Sequence, residues 1–256
     1  MASNSSTLQP TQGAIVVGAS SGIGEAVARR LAREGYAVAL VARRADRLHQ
    51  ICDAINTQLD QRRAFAYPHD VTQFDQAQPL FQSILRDLGR IDVVVYASGV
   101  MPPAGLSEFN FEKDKAMIEV NVLGAMAWLD QAATMFERTG GGHIIGISSV
   151  AGDRGRVINP VYNSSKAALT TYLEGLRNRL SRKGVHVLTV KPGMVDTDML
   201  KGVKRRMWVI SAEQVAADVW SAIKRRKQSI YIPARWGLMM FVIRHIPSFI
   251  FRRLSI

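Results

Sequence analysis

Residues 18–24 read Gly18-Ala19-Ser20-Ser21-Gly22-Ile23-Gly24. Before them runs Ala14-Ile15-Val16-Val17, short and wholly apolar, and after them a helical pattern begins near Glu25. Small residues let the backbone turn tightly and approach an anion closely, while the helix start aims its free N–H groups at it. A plain strand-to-helix turn is the bland reading. The strand–loop–helix context near the start of the chain favours a phosphate cradle.

Working outward, six more short β-branched runs follow: Ala37–Val41, Arg63–Tyr67, Ile91–Ala97, His143–Ser148, Val185–Lys191 and Ser229–Ile232. With Ala14–Gly18 they predict seven strands. Most are continuously apolar, as strands buried on both faces are. Helical patterns lie between them at Gly22–Arg33, Ala45–Asp60, Gln73–Leu88, Glu112–Arg138, Asn159–Arg182 and Ser211–Arg226. Alternation of this kind predicts an α/β fold: a Rossmann-like three-layer αβα sandwich around a doubly wound parallel sheet of about seven strands. No repeat and no composition break marks a second domain. Ligands in such sheets bind at the carboxyl ends of the strands.

One of those ends carries Ile147-Ser148-Ser149-Val150-Ala151-Gly152, followed by Tyr162-Asn163-Ser164-Ser165-Lys166. Positions four apart on a helix share a face, so Tyr162 and Lys166 are expected to point to the same place. A phenol is a poor base at neutral pH, and a neighbouring ammonium lowers its pKa. Taken singly, each has a bland alternative, a tyrosine at a helix start and a lysine on a solvated face.

The chain has 256 residues, 47% apolar and 21% charged, a globular composition for one large domain or two small ones. A lone Cys52 excludes an intramolecular disulfide framework and a cysteine-built metal site, and no metal is expected. Residues 1–13 are polar, without the charged and apolar regions of a signal peptide, and read as a flexible arm. A cytoplasmic setting is expected. The net charge is +12, but Leu200–Ile256 holds 12 Lys/Arg against 2 Asp/Glu, so ten of those charges sit there. The basic groups fall on no recognisable nucleic-acid fold, and no nucleic-acid partner is expected.

The loop spacing is G-x-x-x-G-x-G. From about residue 12 to residue 232 the chain resembles the short-chain dehydrogenases/reductases. The resemblance implies that Gly18, Ser20, Ser21, Gly22, Ile23 and Gly24 line the cofactor's phosphates. A carboxylate after the second strand would bind the ribose of NAD, but Ala42 stands there, followed by Arg43. A guanidinium suits a 2′-phosphate, so NADP(H) is expected; Arg44 either helps or faces solvent. Asp70 and Val71 are expected at the adenine. Ala97 and Gly99 fall at the adenosine ribose, though Tyr96-Ala97-Ser98-Gly99 stands where the family usually has Asn-Asn-Ala-Gly. Pro192, Gly193, Val195 and Thr197 are expected along the nicotinamide.

Asn121, Ser149, Tyr162 and Lys166 match the family's catalytic four. By the resemblance Tyr162 is general acid in reduction and general base in oxidation. Lys166 lowers its pKa and binds the nicotinamide ribose. Ser149 holds the substrate oxygen, the family spacing favouring it over Ser148, and Asn121 anchors a relay water. The domains are then an arm 1–13, a catalytic domain 14–233 and a basic extension 234–256. Lys201, Lys204, Arg205 and Arg206, with Met207 and Trp208, fall where the family places its mobile substrate loop.

The extension is apolar, interrupted by Arg244, His245 and Pro247. On a helical wheel Arg244, His245, Ser248 and Arg252 gather opposite Met239, Ile243, Ile246 and Ile250, with Pro247 as a break. Two readings stand open: an interfacial helix at the inner membrane surface, or a segment packed on the subunit or across a dimer. The expected function is NADP(H)-dependent interconversion of a hydrophobic carbonyl and its alcohol. A 3-oxoacyl-thioester reductase, a non-catalytic NADP(H)-binding regulator and a membrane-surface binding protein are its rivals. Pairing through Glu112–Arg138 and Asn159–Arg182, as in the family, implies a homodimer or homotetramer.

Overall fold

The structure, a computed structural model, describes residues 12–201 and 206–254. Most of the expected arm, with Lys204 and Arg205 of the expected substrate loop, lies outside the described residues. Seven strands form one parallel sheet in the order β3-β2-β1-β4-β5-β6-β7. They are β1 Gly13–Val17, β2 Ala37–Ala42, β3 Ala64–Pro68, β4 Val93–Tyr96, β5 Gly142–Ile147, β6 Val185–Pro192 and β7 Ser229–Ile232. Gly13, assigned above to the arm, belongs to β1, where its N–H meets the Asp92 carboxylate at 2.9 Å. β1, β2, β4 and β6 are buried at every position, because helices cover both faces and leave no place for polar alternation.

The helices are α1 Gly22–Arg33, α2 Ala45–Leu59, α3 Ala77–Leu88, α4 Phe111–Ile118, α5 Gly124–Thr139, α6 Pro160–Leu180, α7 Ala212–Lys224, α8 Arg235–His245 and α9 Ser248–Phe251. Each face of the sheet has its own core. One gathers Val16, Val38 and Ile145 with Leu31 of α1 and Val219 of α7. The other gathers Ile15, Val94 and Ile144 with Trp128 of α5 and Leu173 of α6. The stretch expected as one helix over 112–138 is two helices joined by a π turn, Glu119–Leu123. At 180–182 the expected end of α6 tightens into a 3₁₀ turn, Ser181–Lys183.

The order of the sheet reverses direction beside β1, between β2 and β4. The glycine loop leaves β1 at that switch point, where two neighbouring chains run away on opposite faces and leave a crevice. The tail also differs from a single amphipathic helix. Pro247 divides it into α8 and α9, and Ile250, placed above on the apolar side, is 42% exposed.

Candidate active site

The glycine loop is shaped by close approach. Gly18 has φ +91°, and a Cβ there would stand 2.4 Å from the Ser98 nitrogen, so the turn meets the end of β4 with no room for a side chain. A Cβ on Gly24 would lie 2.1 Å from the Gly18 carbonyl oxygen, which ties the start of α1 to the same turn. Thr197, from the loop after β6, lies against Gly22. Arg44 crosses to this loop: its guanidinium donates to Ser20 Oγ at 3.0 Å, Ser20 O at 3.2 Å and Ser21 Oγ at 2.9 Å. Arg44, left open above, is therefore a clamp on the glycine loop.

Arg43 is 66% exposed at the side chain and 3.9 Å from Asp70. Burial opposes charge on Asp70, but hydrogen bonds from the Thr72 N–H and hydroxyl and the Arg43 charge win, holding its carboxyl below the usual range. Val71 packs against the start of α5 at Gly124. Pro192 ends β6, Gly193 N donates to Ile232 O at 2.8 Å, and Val195 pairs with Ile210.

The four expected catalytic residues come from three elements: Asn121 from the π turn, Ser149 from the turn after β5, and Tyr162 with Lys166 from α6. Asn121 sits in the π turn, fully buried. Its amide donates to Val100 O and to Ser165 Oγ, both at 3.0 Å, and its oxygen accepts from Val100 N at 2.8 Å. Ser165 in turn donates to Tyr162 O at 2.8 Å. The Asn121 side chain is thus a latch between the π turn, the β4 loop and α6, with both amide hydrogens in use. A π turn leaves one carbonyl without its usual donor, so the main chain there is a place for the relay water expected at Asn121.

Lys166 is buried and donates to Ile147 O at 2.9 Å. Its Nζ and Asn121 Oδ1 both lie 3.4 Å from where a Cβ on Gly99 would be, so Gly99 keeps this corner open. The ammonium is 5.8 Å from the Tyr162 ring centre. Ser149 caps a 3₁₀ turn, Val150–Asp153, and its hydroxyl accepts from Ala151 N at 3.0 Å. A Cβ on Gly152 would meet the Lys166 carbonyl carbon at 2.6 Å, so glycine lets this turn lie on α6. Ser148 points elsewhere: its hydroxyl donates to Lys166 O and shares a hydrogen bond with Thr170. That leaves Ser149 as the serine near enough to the Tyr162 phenol to oppose the effect of burial on it.

Burial pushes the Tyr162 phenol up to about 12, with the Ser149 hydrogen bond opposing. Burial also pushes Lys166 down to about 8. The expected lowering of the phenol by the ammonium is not what dominates here. Both groups are dry, and desolvation, which favours the neutral form of each, outweighs their attraction.

Three partners went unnoticed in the sequence. Met199 brings its sulfur to 3.9 Å from the Tyr162 hydroxyl, and nothing in an exposed turn announced it. Asp153, nearly inaccessible at its side chain, pairs with Lys191 at 2.6 Å and accepts from Tyr231 at 2.6 Å, joining the serine turn to β6 and β7. A lysine inside the apolar run of β6 was the available signal, since a buried cation demands a partner. Tyr96, fully buried, donates to Val120 O at 2.5 Å inside the π turn.

A family model described as short chain dehydrogenase matches residues 12–208. An uncharacterised oxidoreductase of Staphylococcus epidermidis is 35% identical over 189 residues, 74% of this chain and 80% of the relative. An alcohol dehydrogenase from the archaeon Thermococcus sibiricus, solved with 5-hydroxy-NADP, is 29% identical, covering 86% of this chain and 95% of that one at TM-score 0.77. A short-chain dehydrogenase of Sphingobium yanoikuyae, solved with NADPH, aligns over 93% of this chain and 97% of that one at TM-score 0.80 and 24% identity, a likeness of fold.

Proposed function

This chain belongs to the short-chain dehydrogenase family, and from that premise we propose that it is an NADP(H)-dependent oxidoreductase that reduces a carbonyl to an alcohol, with Tyr162 as proton donor. The observation that carries the reading is the convergence of Ser149, Tyr162 and Lys166 on one buried corner latched by Asn121. A nicotinamide cofactor fits the residues present. The glycine turn has no room for a Cβ at Gly18 or Gly24, and the start of α1 faces the crevice. Arg43 and Arg44 flank its adenosine end with no carboxylate at Ala42, which favours a 2′-phosphate. The similar Thermococcus enzyme, solved with 5-hydroxy-NADP, supports the same choice.

When bound, the reduced cofactor supplies a hydride to the carbonyl carbon. This chain's residues handle the oxygen. Ser149 donates to it and fixes its position, and Tyr162 gives it the proton. A phenol held at about 12 is protonated at neutral pH, which suits an acid in the reductive direction. Lys166, charged below about 8, stabilises the phenolate left behind. Met199 and the apolar side chains around Val100 and Met101 make the neighbourhood of Tyr162 apolar, in keeping with a hydrophobic substrate. Association through α5 and α6 into a dimer or tetramer belongs to the same proposal, as does a catalytic unit spanning 14–233.

The test is NADPH and NADH oxidation by the purified protein over steroid, retinoid, acyl-thioester and aromatic carbonyls, beside Tyr162→Phe. NADPH-linked turnover that falls at least about 100-fold in the variant is expected. NADPH binding without turnover on any carbonyl would favour a regulator. A preference for NADH would overturn the assignment of Arg43.

A further inference from the structure

The two C-terminal helices are apolar on both sides. Trp236, Met240 and Ile243 of α8 and Phe251 of α9 are buried against Val150 of the serine turn. The opposite side of α8 shows Leu238, Phe241 and Val242 at 73, 62 and 54% exposure, and α9 shows Phe249 and Ile250 at 59 and 42%. Positions 238, 241, 242 and 245 form one helical stripe, closed by His245, whose ring lies 4.5 Å from that of Phe241.

This surface is held rigidly. Arg154 donates to Ile243 O at 2.5 Å and Ile246 O at 2.6 Å, and its guanidinium lies 3.9 Å from the Phe251 ring centre. One side chain therefore closes the carboxyl end of α8 and seats α9. A Cβ on Gly193 would clash with the Trp236 indole, so α8 also presses on the loop after β6. Outward phenylalanines on helices fixed in this way stay outward.

The charge around them has one sign. Residues 234–256 carry four arginines and no carboxylate, and the last acidic residue of the chain is Asp218. Arg235, Arg244, Arg252 and Arg253 are exposed. Apolar side chains edged by arginines match the boundary between acyl chains and anionic headgroups. A second copy fits less well. Two-fold pairing would set each arginine rim against its own copy, with no carboxylate in the segment to receive it. Crossing a bilayer is excluded for α8 by length: its 11 residues span about 16 Å, against a core of about 30 Å. Among the described residues no helix is long and apolar enough to cross a membrane.

We propose that α8 and α9 form a surface by which this protein lies on an anionic lipid bilayer, Leu238, Phe241, Val242 and Phe249 entering the headgroup boundary and Arg252 and Arg253 meeting its phosphates. The inference does not depend on the reductase reading, because its test needs no turnover.

The test is co-sedimentation of the full chain with vesicles of phosphatidylcholine alone, and with about one part in three phosphatidylglycerol. Binding to the anionic vesicles is expected to be at least about tenfold tighter and to weaken with salt. Phe241→Ser with Val242→Ser, and separately Arg252→Glu with Arg253→Glu, should each weaken it about tenfold while circular dichroism and thermal midpoint stay as in the wild type. No binding to anionic vesicles at low salt overturns the proposal. So does equal binding to neutral ones, or binding that both double variants retain, which would place the contact elsewhere on this basic chain. Sedimentation velocity separates the other occupant: an oligomer that dissociates in Phe241→Ser/Val242→Ser, without vesicle binding, makes this face a contact between copies.

Discussion

Lys166 is an amine taken out of water with a hydrogen bond to Ile147 O and, among the described residues, no carboxylate paired with it. Its folded pKa is lowered from 10.5 to about 8 by burial, so the unfolded chain holds the proton more tightly. Stability from this group is full above 10.5 and is lost as pH falls through about 8. At neutral pH the penalty is on the order of 3 kcal/mol. We predict that Lys166→Met abolishes the pH-dependent part. Urea unfolding at pH 7 and near pH 9.5 should show the wild type gaining about 2 kcal/mol relative to the variant. A difference that does not change with pH would mean that the amine is solvated. Turnover in the same variant should fall at least about 100-fold, because phenolate stabilisation is lost. The spacing of Tyr162 and Lys166 was legible in the sequence, as was their order after Ser149. The direction of their pKa values was not, because desolvation depends on what the rest of the chain stacks over them.

At the scale of elements, the helix expected over 112–138 shows why a pattern can be right in type and silent on detail. Its apolar period continues through residues 119–123, yet the backbone there takes a π turn that presents Asn121. Tyr96 is the brace. It stands at the end of β4 where the family usually has asparagine, and its hydroxyl reaches across to Val120 O. Gly124 allows this, since a Cβ there would lie 2.6 Å from the Tyr96 hydroxyl oxygen. Tyr96→Phe should leave Val120 O unpaired in a dry place and lower stability by about 1–2 kcal/mol. If the brace positions Asn121, kcat should fall several-fold with KM for NADPH little changed. An unchanged kcat at reduced stability would make Tyr96 a packing residue only. A departure from a familiar motif was visible in the sequence; the compensating contact lay 24 residues away.

For the whole molecule, the two ends of the parallel sheet differ. The carboxyl ends of the strands carry the glycine loop, the Ser149–Tyr162–Lys166 corner and α8. Near the amino ends of β5 and β6, His143 and His186 share a hydrogen bond between their Nδ1 atoms at 2.9 Å. His186 Nε2 must donate to Lys227 O, so neutral His186 accepts at Nδ1 and His143 donates. Protonating both rings would place two donors face to face. Burial is the main force lowering both; His186 and Arg226 add to it for His143, which falls to about 4, while Asp92 opposes. Both are depressed groups, so their contribution is present above about 6.5 and lost as pH falls toward 4. The thermal midpoint of the wild type should therefore drop between pH 6.5 and 4.5, and drop less in His143→Val. An equal drop would place the acid sensitivity elsewhere.

The sequence by itself determined the layered αβα fold, the glycine turn, the arginines after β2 and which residues gather at the Tyr162 corner. These are local matters: strand and helix periods, residues that only glycine can replace, and spacings of four along one helix. Tertiary structure alone decided what Ser148 binds, what Arg44 clamps, how Asp153, Lys191 and Tyr231 lock the serine turn, and which side of the tail faces outward. Each of those depends on a contact between distant segments. Chain pattern shows which residues will be buried, but the partner a buried polar group finds is set by the packing of elements that the pattern does not order.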